Sequence, residues 1–190
     1  MKKYSYKEIV EAVQKIVEKD CKKVLNIYGY DTWKHHIIPV VNFSKIMAKK
    51  LKANKEIVEL AAFLHDIGGI RGDPENHHIS GAKDAEIILK RLNYPQEKIE
   101  QVKHCIYSHR ASKKIERKTV EAKCIASADA MSHFDDIASI FSLAFTKHKM
   151  PINEGVPWIL NKLERDWQKM TPEAKNIIKD KYKAIKVLLS

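Results

Sequence analysis

Nowhere does this sequence carry an apolar run near the ~20 residues that a membrane span needs. Its Met1-Lys2-Lys3 start leads into an amphipathic segment rather than a uniformly apolar leader, so an unprocessed chain outside the membrane is expected. Cysteine is scarce: Cys21, Cys105 and Cys124 are odd in number and form no C-x-x-C. That excludes a disulfide framework or a zinc ribbon and fits a reducing cytoplasm. With six glycines and six prolines, the chain lacks the turn density of an all-β fold and the breakers of a disordered one. It also lacks a Walker-type glycine loop, a G-x-S-x-G elbow and a Cys-His pair in nucleophile context, so attack by a side-chain nucleophile is not expected.

What is present suits a single soluble domain of 190 residues, 44% hydrophobic and 31% charged, long enough to bury a full core. The net charge of +11, from 35 Lys+Arg against 24 Asp+Glu, favours an anionic ligand. Lysines are spread over every segment and mostly decorate solvated faces, so charge alone does not point to nucleic acid.

Hydrophobic periodicity predicts helices throughout. Ser5 with Glu8 forms a capping box, and Ile9, Val13, Ile16, Val17, Val24 and Ile27 recur at helical spacing, predicting a long first helix that stops at Gly29. Asp31 or Thr32 can cap a second helix carrying Trp33, His36, Val40, Phe43, Met47 and Leu51, in which Pro39 requires either a later start or a bend. Asn54 caps a third helix that ends at Gly68-Gly69. Residues 70–77 read as a loop. A fourth helix follows, Pro95 opens a fifth, Thr119 caps a sixth, and Pro157 and Pro172 each mark a later start. A C-terminal appendage of helices is expected over 150–190.

Several polar residues lie on apolar helix stripes, where a ligand aimed at a bundle interior must sit. His36 shares a face with Val40, Phe43 and Met47; His109 with Ile99, Val102 and Ile106; Asp129 with Ala122, Ile125 and Ala126. The block Ala61-Ala62-Phe63-Leu64-His65-Asp66-Ile67-Gly68-Gly69 places an imidazole and a carboxylate at the end of an apolar helix. Any one of these is more often a hydrogen-bonded core residue. Four converging from separate helices are how bundle metal sites are assembled, and a divalent cation relieves the cost of burying the carboxylates. His35 and His104 fall off the stripes and point away. His133, four residues after Asp129, is either a pocket residue or a core-edge histidine.

The order His36, His65-Asp66, Asp129 resembles the signature of the HD-domain metal-dependent phosphohydrolase superfamily. Local surroundings agree: His36 is followed by Val40 and Ser44, and the blocks Leu-His-Asp-Ile-Gly and Ala128-Asp129-Ala130 are present. The resemblance covers about residues 33–140 and implies an all-α helical bundle. It also implies that His36, His65, Asp66 and Asp129 bind one metal and that Asp66 bridges to a second. Members with two metals add two histidines between the HD pair and the last Asp, and here His77 and His109 occupy those places. His77 fits the family's His-x-x-x-Gly-Ala pattern through Gly81-Ala82. Helical periodicity favours His78 instead, provided the helix has begun by then; Ser80 is a plausible cap.

The resemblance implies hydrolysis of a nucleotide or other small phosphate ester by metal-activated water, with Asp66 and His65 at the reaction centre. One or two divalent ions are expected, and mixed imidazole and carboxylate ligation favours Mn, Fe, Co or Ni over Mg or Zn. Arg71, His78 and Arg110 are expected to bind substrate, an arginine suiting phosphate through paired hydrogen bonds. Asp73 reads equally as a proton acceptor or a turn residue. The alternatives in other classes are a di-iron HD-domain oxygenase and a non-catalytic metal-containing binding module for nucleotides or nucleic acid.

Overall fold

In the computed structural model, which describes residues 4–189, every regular element is helical. The Met1-Lys2-Lys3 start lies outside the described residues. Ten α-helices follow in order: α1 (Tyr6–Cys21), α2 (Ile38–Leu51), α3 (Lys55–Leu64), α4 (Ile67–Ile70), α5 (His77–Arg91), α6 (Gln96–Ser108), α7 (Val120–Asp135), α8 (Ile137–Phe141), α9 (Ile152–Lys169) and α10 (Pro172–Leu189). Short π-helical segments, Trp33–Ile37 and Ser142–Lys147, lie before α2 and after α8. Among the described residues no helix is long and apolar enough to cross a membrane.

The expected caps are in place. Ser5 and Glu8 make both bonds of the capping box, the Asn54 side chain accepts from the Glu56 and Ile57 amides, and Thr119 accepts from Ala122. The bundle forms around α7, which is buried along most of its length and packs against α2, α3, α6, α9 and α10. Packing of α5 on α6 and of α4 on α5 completes the other side. Large apolar side chains meet in the middle, among them Ile37, Met47, Leu60, Leu64, Leu89, Ile106 and Ile125. Cys21, Cys105 and Cys124 are free thiols in that interior.

Three boundaries differ from expectation, at Gly29, Gly68-Gly69 and Pro157, while at Pro39 the later helix start is the one observed. The first helix stops at Cys21 rather than Gly29, because Asp20 turns inward to pair with Arg71 and Lys23. Val24, Leu25 and Ile27 continue the apolar spacing but lie at the surface, Val24 being 101% exposed. At Pro39, which lacks a backbone donor, the α pattern gives way upstream to the π-helical segment that carries His36.

Gly68-Gly69 does not end a helix. Both residues lie inside α4, and a Cβ on Gly68 would overlap Ser80 Oγ and sit 2.6 Å from the Gly81 nitrogen and 2.7 Å from the His77 carbonyl oxygen. Glycine there allows α4 to approach the start of α5. The helix itself ends at Leu64, leaving His65 and Asp66 at the joint. Pro157 lies inside α9, whose start is Ile152, whereas Pro172 does open α10.

Candidate metal centre

Asp66 occupies the joint between α3 and α4, and its two carboxylate oxygens face opposite groups of imidazoles. Oδ2 is 3.2 Å from His36 Nε2 and 3.6 Å from His65 Nε2. Oδ1 is 3.5 Å from His109 Nε2 and 3.6 Å from His77 Nε2. Asp129 Oδ1, from α7, closes the first group at 3.5 Å from His36 and 3.9 Å from His65. The sets His36/His65/Asp66 and Asp66/His77/His109 each bring their donor atoms within 4.8 Å of one another, and so does His36/Asp129/His133.

The far nitrogens of the rings explain why Nε2 is the atom presented. Nδ1 of His65 lies 2.8 Å from the Ala62 carbonyl oxygen, that of His77 2.8 Å from Pro74, and that of His109 2.5 Å from Ile106. A carbonyl only accepts, so each Nδ1 carries the hydrogen and each Nε2 keeps its lone pair. The Ser132 hydroxyl donates to the Asp129 carbonyl at 2.7 Å and therefore accepts from His36 Nδ1 at 3.1 Å, which fixes the same tautomer. Rings locked from behind in this way are the usual outer layer of a metal site.

Electrostatics agree. Burial would raise the Asp66 carboxyl, yet the imidazoles of His65, His109 and His36 hold it well below the usual carboxylate range. Burial lowers His65 to about 4, keeping its ring neutral near pH 7. His36 runs the other way: burial opposes the charged form, but Asp66 and Asp129 raise it above its ordinary value. Asp129 stays ionised against its burial because Lys169 and His133 adjoin it. Two ionised carboxylates among lone-pair nitrogens, some of them fully buried, form a nitrogen-rich donor set that fits a transition-metal dication.

The group lies at one wall of a cavity of about 600 Å³. Tyr28, Ile140, Leu143 and Trp158 give that cavity apolar surface; Arg110, Lys147, Lys162, Arg165 and Lys169 line it together with as many aspartates.

The structure thus brings His36, His65, Asp66, His77, His109 and Asp129 together. Of the two adjacent histidines, His77 faces Asp66; His78 is buried to one side against the Tyr107 ring, 5.7 Å between centroids. Asn76 rather than Ser80 precedes the helix, so His77 sits in its first turn. Arg110 lines the cavity, with Nε donating to Ser112 Oγ and Nη1 to the Glu75 carbonyl.

Arg71 and His78 are not placed as expected for substrate binding. Arg71 is held between Asp20 at 2.8 Å and Asp84 at 3.0 Å, away from the cavity lining, and His78 is likewise absent from it. Asp73 accepts the Asn76 amide at 3.1 Å, as a turn residue does. His35 pairs with Asp136 at 2.6 Å on the cavity rim, and His104 accepts from the Lys118 amide; neither faces the metal-facing group. His133 does reach it, with Nε2 3.6 Å from Asp129 Oδ1 and its ring stacked on His36.

The HD domain family matches residues 34–134, more than half of the chain. The chain belongs to the HD-domain family. HD domains bind divalent metals, and this one carries His/Asp clusters that could hold them. It is similar to Ribonuclease Y of Petrotoga mobilis, 36% identical over 107 residues, which is 55% of this chain and 19% of that protein. The chain thus spans less than a fifth of that curated relative. An HD-superfamily hydrolase from Bacillus thuringiensis shares the fold with a TM-score of 0.72 at 20% identity, over 97% of this chain and 95% of that one. Bacillus subtilis YpgQ, in complex with ADP, does so with a TM-score of 0.68 at 20% identity, over 92% and 90% of the two chains. At that identity the likeness is one of fold.

The residues that sequence reasoning missed are those of α9. Asp166, Lys162, Arg165 and Lys169 all reach the cavity from a segment beyond the matched region. A signal existed: Asp166 lies on the stripe of Ile159, Leu163 and Met170, the same test that singled out Asp129.

Proposed function

We propose that the chain is a metal-dependent phosphohydrolase acting on a nucleotide or another small phosphate ester. The observation that carries this reading is Asp66, whose two oxygens face separate imidazole groups at the wall of a cavity that Arg110 and Arg165 also line. His36, His65, Asp66 and Asp129 are the residues that would hold one ion, and Asp66, His77 and His109 a second. Bound there, a divalent ion supplies activated water at neutral pH and offsets charge on phosphoryl oxygens.

The chain's own residues do the rest. Arg165 offers a forked donor for phosphoryl oxygens, Arg110 the donors that Ser112 and Glu75 leave over, and Lys147 a point charge. Trp158, Leu143 and Ile140 offer an apolar face on which a base can rest while the phosphate lies toward Asp66. The ADP complex of YpgQ, a protein of the same fold, supports a nucleotide as the ligand.

The test is release of phosphate or nucleotide from a panel of mono-, di- and dinucleoside phosphates, with Mn, Co, Ni, Fe or Mg added, by wild type and Asp66→Ala. Release by wild type alone supports the reading and names the substrate class. A folded, metal-loaded wild type that releases nothing contradicts it, and oxygen consumption by that protein would indicate the di-iron oxygenase instead.

A further inference from the structure

The cavity wall formed by α9 carries a buried chain of charges that ends on a metal-facing residue. Asp166, 1% exposed, accepts from His133 Nδ1 at 2.9 Å and from Lys162 Nζ at 3.3 Å on Oδ2, and its Oδ1 is 3.3 Å from Lys169 Nζ. The Lys169 side chain is 5% exposed and is hydrogen-bonded to Asp129 Oδ2. It also donates to the His109 carbonyl at 3.4 Å.

Lys169 thus hydrogen-bonds two of these oxygens, Asp129 Oδ2 and the His109 carbonyl, and pairs by charge with Asp166 Oδ1. Lys169 therefore lines the cavity already engaged by Asp129, Asp166 and the His109 carbonyl. Burial of a cation so deep is tolerated because two carboxylates meet it, and removing one partner of such a set leaves the others uncompensated. Its consequence falls on Asp129. With Oδ2 held from behind, only Oδ1 remains to face His36, His65 and His133.

We infer that Lys169 and Asp166 are positioning residues of the metal centre: Lys169 fixes Asp129 so that one oxygen is presented, and Asp166 fixes Lys169 and the ring of His133. This rests on the metal reading above but concerns residues beyond the family match at 34–134. It ties α9 to the site: the helix is part of the outer layer of the first metal position, in the role that Ser132 plays for His36.

The test measures Mn²⁺ binding by calorimetry and the electronic spectrum of bound Co²⁺, on the full chain without substrate. Lys169→Met should weaken the tighter Mn²⁺ step about 10- to 100-fold, the usual cost of losing an outer-layer partner. It should also change the Co²⁺ spectrum, because Asp129 is freed to turn or to offer both oxygens. Lys169→Arg, which keeps the charge and donors, should restore most of the affinity and the spectrum. A merely structural role would lower the melting temperature while leaving the spectrum unchanged.

If Lys169→Met fails to fold, Asp166→Asn carries the test through the same two readouts. Affinity and spectrum equal to wild type in a folded variant would overturn the inference alone. A folded wild type that binds neither Mn²⁺ nor Co²⁺ would overturn both the inference and the metal reading.

Discussion

On its Oδ2 side Asp66 faces His36 and His65 with Asp129 close by, while on its Oδ1 side it faces only His77 and His109. The first group is held mostly by side chains, the Ser132 hydroxyl behind His36, Lys169 behind Asp129 and Asp166 behind His133, with the Ala62 carbonyl behind His65. His65 in that group is fully buried. The second group is held by backbone carbonyls of Pro74 and Ile106, and His77 sits in the first turn of α5 beside the loop that includes Arg110. A position braced by fixed side chains from several helices is preorganised, whereas one resting on a helix start and a loop edge can open. A tighter ion is therefore expected on the Oδ2 side and a more exchangeable one on the Oδ1 side.

Removing the shared ligand should erase the difference. Asp66→Ala is expected to lower hydrolysis at least about 100-fold, since losing an outer-layer partner alone costs about 10- to 100-fold; phosphate release against wild type reads this directly. Separating the two sides comes next. His36→Ala should lose the tighter Mn²⁺ step in calorimetry. His77→Ala should lose only the weaker step and recover part of its activity as Mn²⁺ is raised. Equal losses in the two variants would break the asymmetry.

A smaller effect should come from Gly68→Ala. Its added Cβ would meet the Gly81 nitrogen and the His77 carbonyl oxygen below 3.0 Å, so α4 and α5 must separate. Overpacking of this kind costs about 1–3 kcal/mol, or about 2–4 °C in Tm per kcal/mol for a chain of this size. The weaker Mn²⁺ step should suffer with it, because His77 starts α5.

The mildest test is acid. His65 is lowered from an ordinary 6.5 to about 4 by burial, so its folded form binds protons less readily than the unfolded chain. The stability this contributes is full above pH 6.5 and is lost as pH falls towards 4. Thermal melts of the metal-free protein should decline by a few degrees across that window. A melting temperature that rises across it would contradict the placement of His65 in the interior.

Much of the centre was legible because helices report their faces. His36, His109 and Asp129 share stripes with core residues, and each reaches the centre, as does the His65-Asp66 block at the end of its helix. What sequence concealed depends on contacts between distant segments. Apolar spacing through Val24 and Ile27 suggested a longer first helix, but the pairing of Asp20 with Arg71, far along the chain, helps to turn the backbone at Cys21.

Periodicity favoured His78 only if the helix had begun by then, and a cap at Ser80, which the sequence allowed, left the motif's choice of His77 ahead. Instead the helix begins at His77, where the Pro74 carbonyl turns its ring toward Asp66. Gly68 resembled a stop signal, whereas its lack of a side chain serves the approach of another helix. Lys169 carried no signal of its own, because a lysine near the end of an amphipathic helix is usually solvated; its burial follows from Asp129 and Asp166 meeting it.

The most direct measurement is the manganese content of the purified chain after equilibrium dialysis against Mn²⁺, for wild type and Asp66→Ala together. If Asp66 is the shared ligand of two positions, wild type should hold two ions per chain and the variant fewer than one, while remaining folded. One ion per chain in both proteins would contradict the account, because Asp66 would then bridge nothing.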